Sequence, residues 1–316
     1  MAFTLLALPP VPSDRVLDLF GGLDLELLPL PERTQAAVEA LLPQADLVVA
    51  DWSPDLRVDD PGPRVCFVQQ PSVGYDQVDA DACARAGVPV ANCAGANATS
   101  VSEWCVGAVL AMLRGTVQAD AAVRAGAWPQ TDLGIQELAG KRVGVVGMGS
   151  VGAAAARLFA AFGCDVTYWS RSRHADAPVP YADLDGLLAG SDVVVLCIAL
   201  GPATRGLVDA RRLRAGALLV NAARGGVVDE PALVEALQAG HLAGAALDVF
   251  AVEPLPADSP LRDAPGVLLS PHAAGSSAQA ELRVLEQTTG NLRRVLAGEP
   301  VMDVVNGVDP QVRRRA

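Results

Sequence analysis

Lysine is almost missing from this chain: Lys141 is the one lysine in 316 residues, and histidine occurs only as His174, His241 and His272. The first scarcity removes any phosphate loop of the GxxxxGK[ST] type and leaves Schiff-base chemistry a single candidate, which sits in a turn. The second leaves imidazole acid–base work three candidates. Basic charge is also short, since 24 Lys+Arg against 36 Asp+Glu give a net charge of −12, so neither nucleic acid nor an anionic membrane is expected as a partner. The terminal Arg313-Arg314-Arg315 reads as a solvated tail. The six cysteines include no CxxC pair and mostly lie in apolar runs; they read as small buried hydrophobes in a reducing compartment, without a metal site. No run approaches the ~18 apolar residues of a membrane span. The opening MAFTLLALPPVPSD has no basic flank and reads as a first strand rather than a signal peptide, which points to the cytoplasm.

What is abundant is apolar residues, 51% of the chain, enough for a large core and two domains in a soluble globular protein. The chain is organised around VGVVGMGSVG, Val143 to Gly152, an apolar run that breaks into Gly147, Met148, Gly149, Ser150, Val151 and Gly152 before a helix-forming stretch over 153–162. This is the pattern of a phosphate-binding strand–turn–helix. Gly147 permits the turn, Gly149 lets backbone approach a pyrophosphate, Gly152 lets the helix pack close, and the helix N-terminus faces the anion. A second strand at 165–169 arrives at βαβ distance. On both sides strands alternate with helices: strands at 3–8, 25–28, 47–50, 65–68 and 88–91, then at 193–198, 218–221, 245–249 and 267–269. Helices are expected at 14–20, 34–42, 80–86, 183–188, 209–213, 230–238 and 276–297. A long apolar helix over 97–114 reads as capped by Thr99 or Ser100, with Glu103 in a capping box, and as a connector between domains. Residues 115–140 read as less regular.

Three further stretches fall at predicted strand ends, where open α/β sheets bind their ligands: NAARGGVVD (221–229), ALDVFAVEP (246–254) and SPHAAG (270–275). Singly, Arg224, Glu253 and His272 are unremarkable loop residues. Jointly they offer a fixed cation, a carboxylate and an imidazole on the nicotinamide side of a dinucleotide fold, which are the groups a carbonyl-reducing site needs. Arg224 presents a planar fork suited to a carboxylate. His272 can give a proton to a carbonyl oxygen, with Glu253 favouring its protonated form.

With VGYDQVD, ELAGKRVGVVGMGSVG, NAARGGVVDE, GAALDVFAVEPLP and SPHAAG in view, residues 70–275 resemble the D-isomer-specific 2-hydroxyacid dehydrogenase family. The resemblance implies two doubly wound α/β domains: a Rossmann nucleotide domain (98–275) inserted into a flavodoxin-like substrate domain (1–97 and 276–316), with a cleft between them. It further implies that Arg224 holds the substrate carboxylate and keto oxygen, that Glu253 pairs with His272 as proton donor, that the Val73 and Gly74 amides hold the carboxylate, and that Asp248 meets the nicotinamide carboxamide. Glutamate at 253, where related formate dehydrogenases carry glutamine, points to proton transfer. The VGYD loop lacks the lysine of related phosphite dehydrogenases. The chain departs from the family where ALGPAT (199–204) stands for PLTPET, and where Arg262 replaces a tryptophan.

At the end of the second nucleotide strand stands Ser170 in place of the acid that an NAD site uses, followed by Arg171 and Arg173. The expectation is therefore an NADP(H)-preferring reductase of short 2-keto acids such as glyoxylate or hydroxypyruvate, with NAD(H) possible. Ser170 would leave room and a donor for a 2′-phosphate that the two arginines pair with. The alternatives are an NAD-linked dehydrogenase of a bulkier D-2-hydroxy acid, or a nucleotide-sensing corepressor; a methyltransferase would leave Arg224, Glu253 and His272 unexplained. A homodimer is expected through residues 100–128, with Trp128 at the position that reaches a partner's cleft in glyoxylate-reductase-like relatives.

Overall fold

The structure, a computed structural model, describes residues 2–11, 13–53 and 55–315. The chain folds as two compact units, Met1–Asn97 with Ala278–Ala316, and Ala98–Ser277. In the first, β1 (Phe3–Ala7), α1 (Ser13–Leu19), β2 (Leu25–Leu28), α2 (Gln35–Leu41), β3 (Leu47–Val49), β4 (Phe67–Gln69), α3 (Ala80–Arg85) and β5 (Val90–Ala91) follow one another. The strands form one parallel sheet in the order β2-β1-β3-β4-β5, the flavodoxin-like order. Thr34 caps α2 and Asp79 caps α3, each through a side-chain oxygen that accepts an amide three residues on.

The second unit opens with α4 (Ala98–Leu113) and α5 (Thr116–Arg124). It continues through β6 (Arg142–Val146), α6 (Ser150–Ala161), β7 (Asp165–Trp169), α7 (Leu184–Gly190), β8 (Val193–Leu196), β9 (Leu218–Asn221), α8 (Glu230–Gln238), β10 (Gly244–Leu247) and β11 (Val267–Leu269). Its six strands are all parallel, in the order β11-β10-β9-β8-β6-β7. Alternation decides which side each residue serves. Val143, Val145, Val193, Val195 and Val220 face a core shared with α4 and α6, while Val146, Val194, Leu196 and Leu219 face one shared with α7 and α8. The chain then returns to the first unit as α9 (Ala278–Ala297), whose Leu292 and Val295 pack on Leu5, Leu47 and Phe67. The two-sheet α/β class expected from the alternation is what is found.

Four local expectations are corrected. Thr99 and Ser100 lie inside α4 rather than capping it, and the Ser100 hydroxyl meets that of Ser277 at 2.6 Å. The stretch after residue 115 contains α5, which buries none of its side chains; residues 209–213 hold only a single 3₁₀ turn, Ala210–Arg212, with Asp209 as its cap. Two residues of the arginine tail are tied to the fold rather than simply solvated. Arg314 pairs with the buried Asp46 carboxylate at 3.1 Å and stacks on the Phe3 ring, and Arg315 donates to the Gly62 and Val65 carbonyls. Among the described residues no single helix is long and apolar enough to cross a membrane, and no group of His, Cys, Asp and Glu is set to hold a metal ion.

Candidate active site

Strand register builds the site. Trp169, Val146, Leu196, Asn221, Leu247 and Leu269 lie side by side across the six strands, so every loop that follows them leaves from the same edge of the sheet. That edge carries the glycine turn, the Arg224 turn, Asp248, Glu253 and the His272 turn, which lie far apart in sequence. The order of β7, β6 and β8 makes it a topological switch point, because the chain passes from β6 to β7 on one side and then crosses back to β8 on the other.

The glycine turn has the construction of a pyrophosphate cradle. Gly147 sits at φ +103°, where a Cβ would lie 2.4 Å from the Cys197 carbonyl oxygen, and a Cβ on Gly152 would lie 2.0 Å from the Gly147 carbonyl oxygen. Both positions therefore exclude a side chain through packing alone. Gly149 differs: its φ is −76° and a Cβ there would meet nothing within 4 Å. The open space at the N-terminus of twelve-residue α6 is where backbone can approach an anion. The residues present thus fit a dinucleotide.

At the end of β7 the geometry changes the sequence-based reading. Ser170 is buried and its hydroxyl donates to the Ser172 carbonyl, so the donor expected for a 2′-phosphate is already spent. Arg171 is exposed, and Arg173 stands 4.5 Å above the Tyr181 ring. What persists from the expectation is a site without a carboxylate at 170 and with two arginines beside it.

Asn221, buried at the end of β9, folds the next turn: its Oδ1 accepts the Ala223 amide and its Nδ2 donates to the Arg224 carbonyl, both at 3.1 Å. Arg224 then has an extended backbone, and its Nη1 donates to the Ala223 carbonyl at 2.7 Å. Gly225 must be glycine here, since a Cβ would fall 1.9 Å from the Phe250 carbonyl carbon. This close approach brings the Arg224 turn against the loop that bears Glu253. That loop is fixed by two acids, the Glu253 Oε1 accepting the Phe250 amide at 2.9 Å and the Glu230 carboxylate accepting the Ala251 amide.

His272 Nδ1 lies 2.7 Å from Glu253 Oε2. The histidine has φ +53°, a left-handed conformation that costs a non-glycine residue on the order of 1–3 kcal/mol and persists only where its surroundings enforce it. The hydrogen bond to Glu253 raises the imidazole above its usual 6.5, against burial and the Arg224 charge, which lower it. Burial alone would raise the Glu253 carboxyl. The hydrogen bonds from His272 and the Phe250 amide, with the charge of Arg224, bring it below its usual 4.5 instead. Each group thus holds the other in its charged form, and the structure brings Arg224, Glu253 and His272 together. The remaining histidines are structural, the His241 ring bonded to the Leu213 carbonyl and His174 packed on Tyr168.

In the first unit, the loop after β4 holds Val73 and Gly74. Three successive carbonyls are engaged, Ser72 by the Cys93 amide, Val73 by Asn92 Nδ2 and Gly74 by the Ser72 hydroxyl, which itself accepts from Gln70 Nε2. Among the described residues no backbone acceptor is seen for the Val73 or Gly74 amide. The supporting Gln70, Ser72 and Asn92 were not singled out from sequence; buried amides just after β4 and β5 were the available signal. Where the chain departs from the family, Thr204 closes the 199–204 loop by donating to the Ala199 carbonyl and accepting the Gly201 amide.

Comparison with known proteins agrees with this geometry. A sequence model of the D-isomer specific 2-hydroxyacid dehydrogenase NAD-binding domain matches residues 106–274. The chain belongs to the D-isomer specific 2-hydroxyacid dehydrogenase family. It is 38% identical over 264 residues to a glyoxylate reductase of Thermofilum pendens, covering 80% of this chain and 78% of that one. It is 39% identical over 285 residues to the D-3-phosphoglycerate dehydrogenase of Mycobacterium leprae, covering 87% of this chain but 53% of the relative. The chain thus spans about half the length of the phosphoglycerate dehydrogenases it matches. Among solved structures, the NADPH-dependent glyoxylate/hydroxypyruvate reductase of Sinorhizobium meliloti, in complex with NADP and malonate, superposes with a TM-score of 0.84 at 28% identity over all of both chains.

Proposed function

We propose that the protein is an NADP(H)-preferring reductase that converts small 2-keto acids of the glyoxylate and hydroxypyruvate type to D-2-hydroxy acids. The observation that carries this reading is the His272–Glu253 contact of 2.7 Å on the sheet edge that also bears Arg224 and the glycine turn. The nicotinamide, when bound, supplies the hydride. His272, charged because Glu253 holds it so, gives the proton to the carbonyl oxygen, and in the reverse direction takes it back. Arg224 grips the substrate carboxylate as a fork and lends its charge to the developing alkoxide. In the first unit, the Val73 and Gly74 amides are proposed to serve as further donors to a substrate carboxylate. Gly147 to Gly152 cradle the pyrophosphate.

NADP(H) preference rests on the missing acid at 170 and on Arg171 and Arg173, which can form charge-assisted hydrogen bonds with a 2′-phosphate worth roughly 1.5–3 kcal/mol each. Kinetics with both coenzymes test it: kcat/KM for NADPH above that for NADH supports the preference, and the reverse order removes it. An NAD-linked dehydrogenase of a bulkier D-2-hydroxy acid is the second reading, favoured by the phosphoglycerate dehydrogenases among the relatives.

The protein is further proposed to be a cytoplasmic homodimer. Supporting the dimer are α5, none of whose side chains is buried, with Val117 and Val123 both more than half exposed, and Trp128, 78% exposed. Apolar surface of this kind is usually covered by a partner.

A further inference from the structure

The His272 turn is held by one residue. The amides of His272, Ala273 and Ala274 all donate to Asp248, to its main-chain carbonyl at 2.8 Å, its Oδ1 at 2.8 Å and its Oδ2 at 2.9 Å respectively. Three consecutive amides on one acceptor residue impose the left-handed backbone at His272, and the Asp248 side chain is buried, so water does not compete for them. A carboxylate can still turn about its own bond and exchange its two oxygens. The Ser270 hydroxyl removes that freedom by donating to Oδ1 at 2.6 Å, while the Ser270 amide is anchored on the Leu247 carbonyl at 2.9 Å.

We propose that Ser270 is a positioning residue for the proton transfer assigned to His272: its hydroxyl locks the Asp248 carboxylate, and the locked carboxylate aims the His272 turn so that Nδ1 faces Glu253. The inference rests on the functional reading given above and goes beyond it. Both Asp248 oxygens accept from the turn, so this acid shapes the turn in addition to any contact with the nicotinamide carboxamide. Ser270 touches no reacting atom. It acts through Asp248.

The test is steady-state reduction of glyoxylate by NADPH and by NADH, from about pH 5 to about pH 10, with wild type, Ser270→Ala, Ser270→Thr and His272→Asn. The groups that set the His272 titration are Glu253, Arg224 and Asp248, and Ser270→Ala leaves all three in place. Slackening the turn loosens the His272–Glu253 contact. The alkaline limb of kcat/KM should therefore move to lower pH in the alanine variant, with kcat down about ten-fold, short of the ~10² that a 1 Å misplacement costs. Coenzyme KM should stay within about two-fold, and threonine, which keeps the hydroxyl, should restore both kcat and the limb. An alanine variant with wild-type kcat and an unmoved limb, even at a lowered Tm, would overturn the inference, as would a threonine variant as impaired as alanine. Should alanine fail to fold, Ser270→Cys, a weak donor of similar size, is read by the same criteria. Loss of turnover in His272→Asn with Ser270→Ala unchanged sinks this inference alone, whereas turnover in His272→Asn sinks the proton-donor reading beneath it.

Discussion

At His272 and Glu253 the proposed chemistry uses a pair of groups each favouring the charged form of the other. If the imidazole, raised above 6.5, is the proton donor as proposed, reduction should fall on an alkaline limb that lies above 6.5, with oxidation showing the opposite dependence. The same shifts fix the sign for stability. The His272 contribution is present below 6.5 and lost as pH rises through the raised value; that of Glu253 is present above 4.5 and lost as pH falls through the lowered one. The pair therefore stabilises most between these limits, and modestly, since the side chains are 49% and 32% exposed. Replacing His272 by asparagine should cost about 10²–10⁴ in kcat with coenzyme affinity within a few-fold. Arg224→Lys should raise KM and lower kcat because the fork is lost, while His174→Gln and His241→Gln should be near neutral; steady-state kinetics on the four variants check the set. The three site residues could be read from local motifs. The Asp248–Ser270 lock could not, because 22 residues separate its members and only the pairing of β10 with β11 makes them neighbours.

Among the elements, the turn between β6 and α6 separates packing from binding. Gly152→Ala must push the Gly147 carbonyl aside, so both Tm and coenzyme affinity should fall. Gly149→Ala meets open space at an ordinary φ, so Tm should hold while coenzyme affinity falls at least about ten-fold. Calorimetry and fluorescence titration of the two variants check this; equal loss of Tm in both would contradict it. At the end of β7, Ser170→Asp with Arg171→Ala should turn preference towards NADH, chiefly through coenzyme KM. Strands were legible because each is a short run rich in apolar residues, several of them buried on both faces, as in β8 and β9, where all four residues are buried. Helix α5 was not: it buries nothing, so its apolar residues have no core-facing stripe, and only its alanines between Gly115 and Gly126 favour the helix.

On the scale of the whole chain, the first and last segments are tied by long-range contacts that composition does not reveal. Arg314 and Asp46 are 268 residues apart, and this is why a basic tail looked solvated in sequence. Arg314→Ala leaves Asp46 its partner Arg64, so the expected loss is about 1 kcal/mol, roughly 2–4 °C in Tm by calorimetry. If residues 100–128 pair two copies, light scattering at micromolar concentration should give twice the 32.5 kDa chain mass, and Trp128→Glu should shift it towards the monomer. The central claim is tested most directly by NADPH oxidation over a panel of 2-keto acids with purified protein, wild type beside His272→Asn. The account predicts turnover of glyoxylate and hydroxypyruvate by wild type and its near loss in the variant. A panel inert in wild type despite tight coenzyme binding, or a variant as active as wild type, would contradict it.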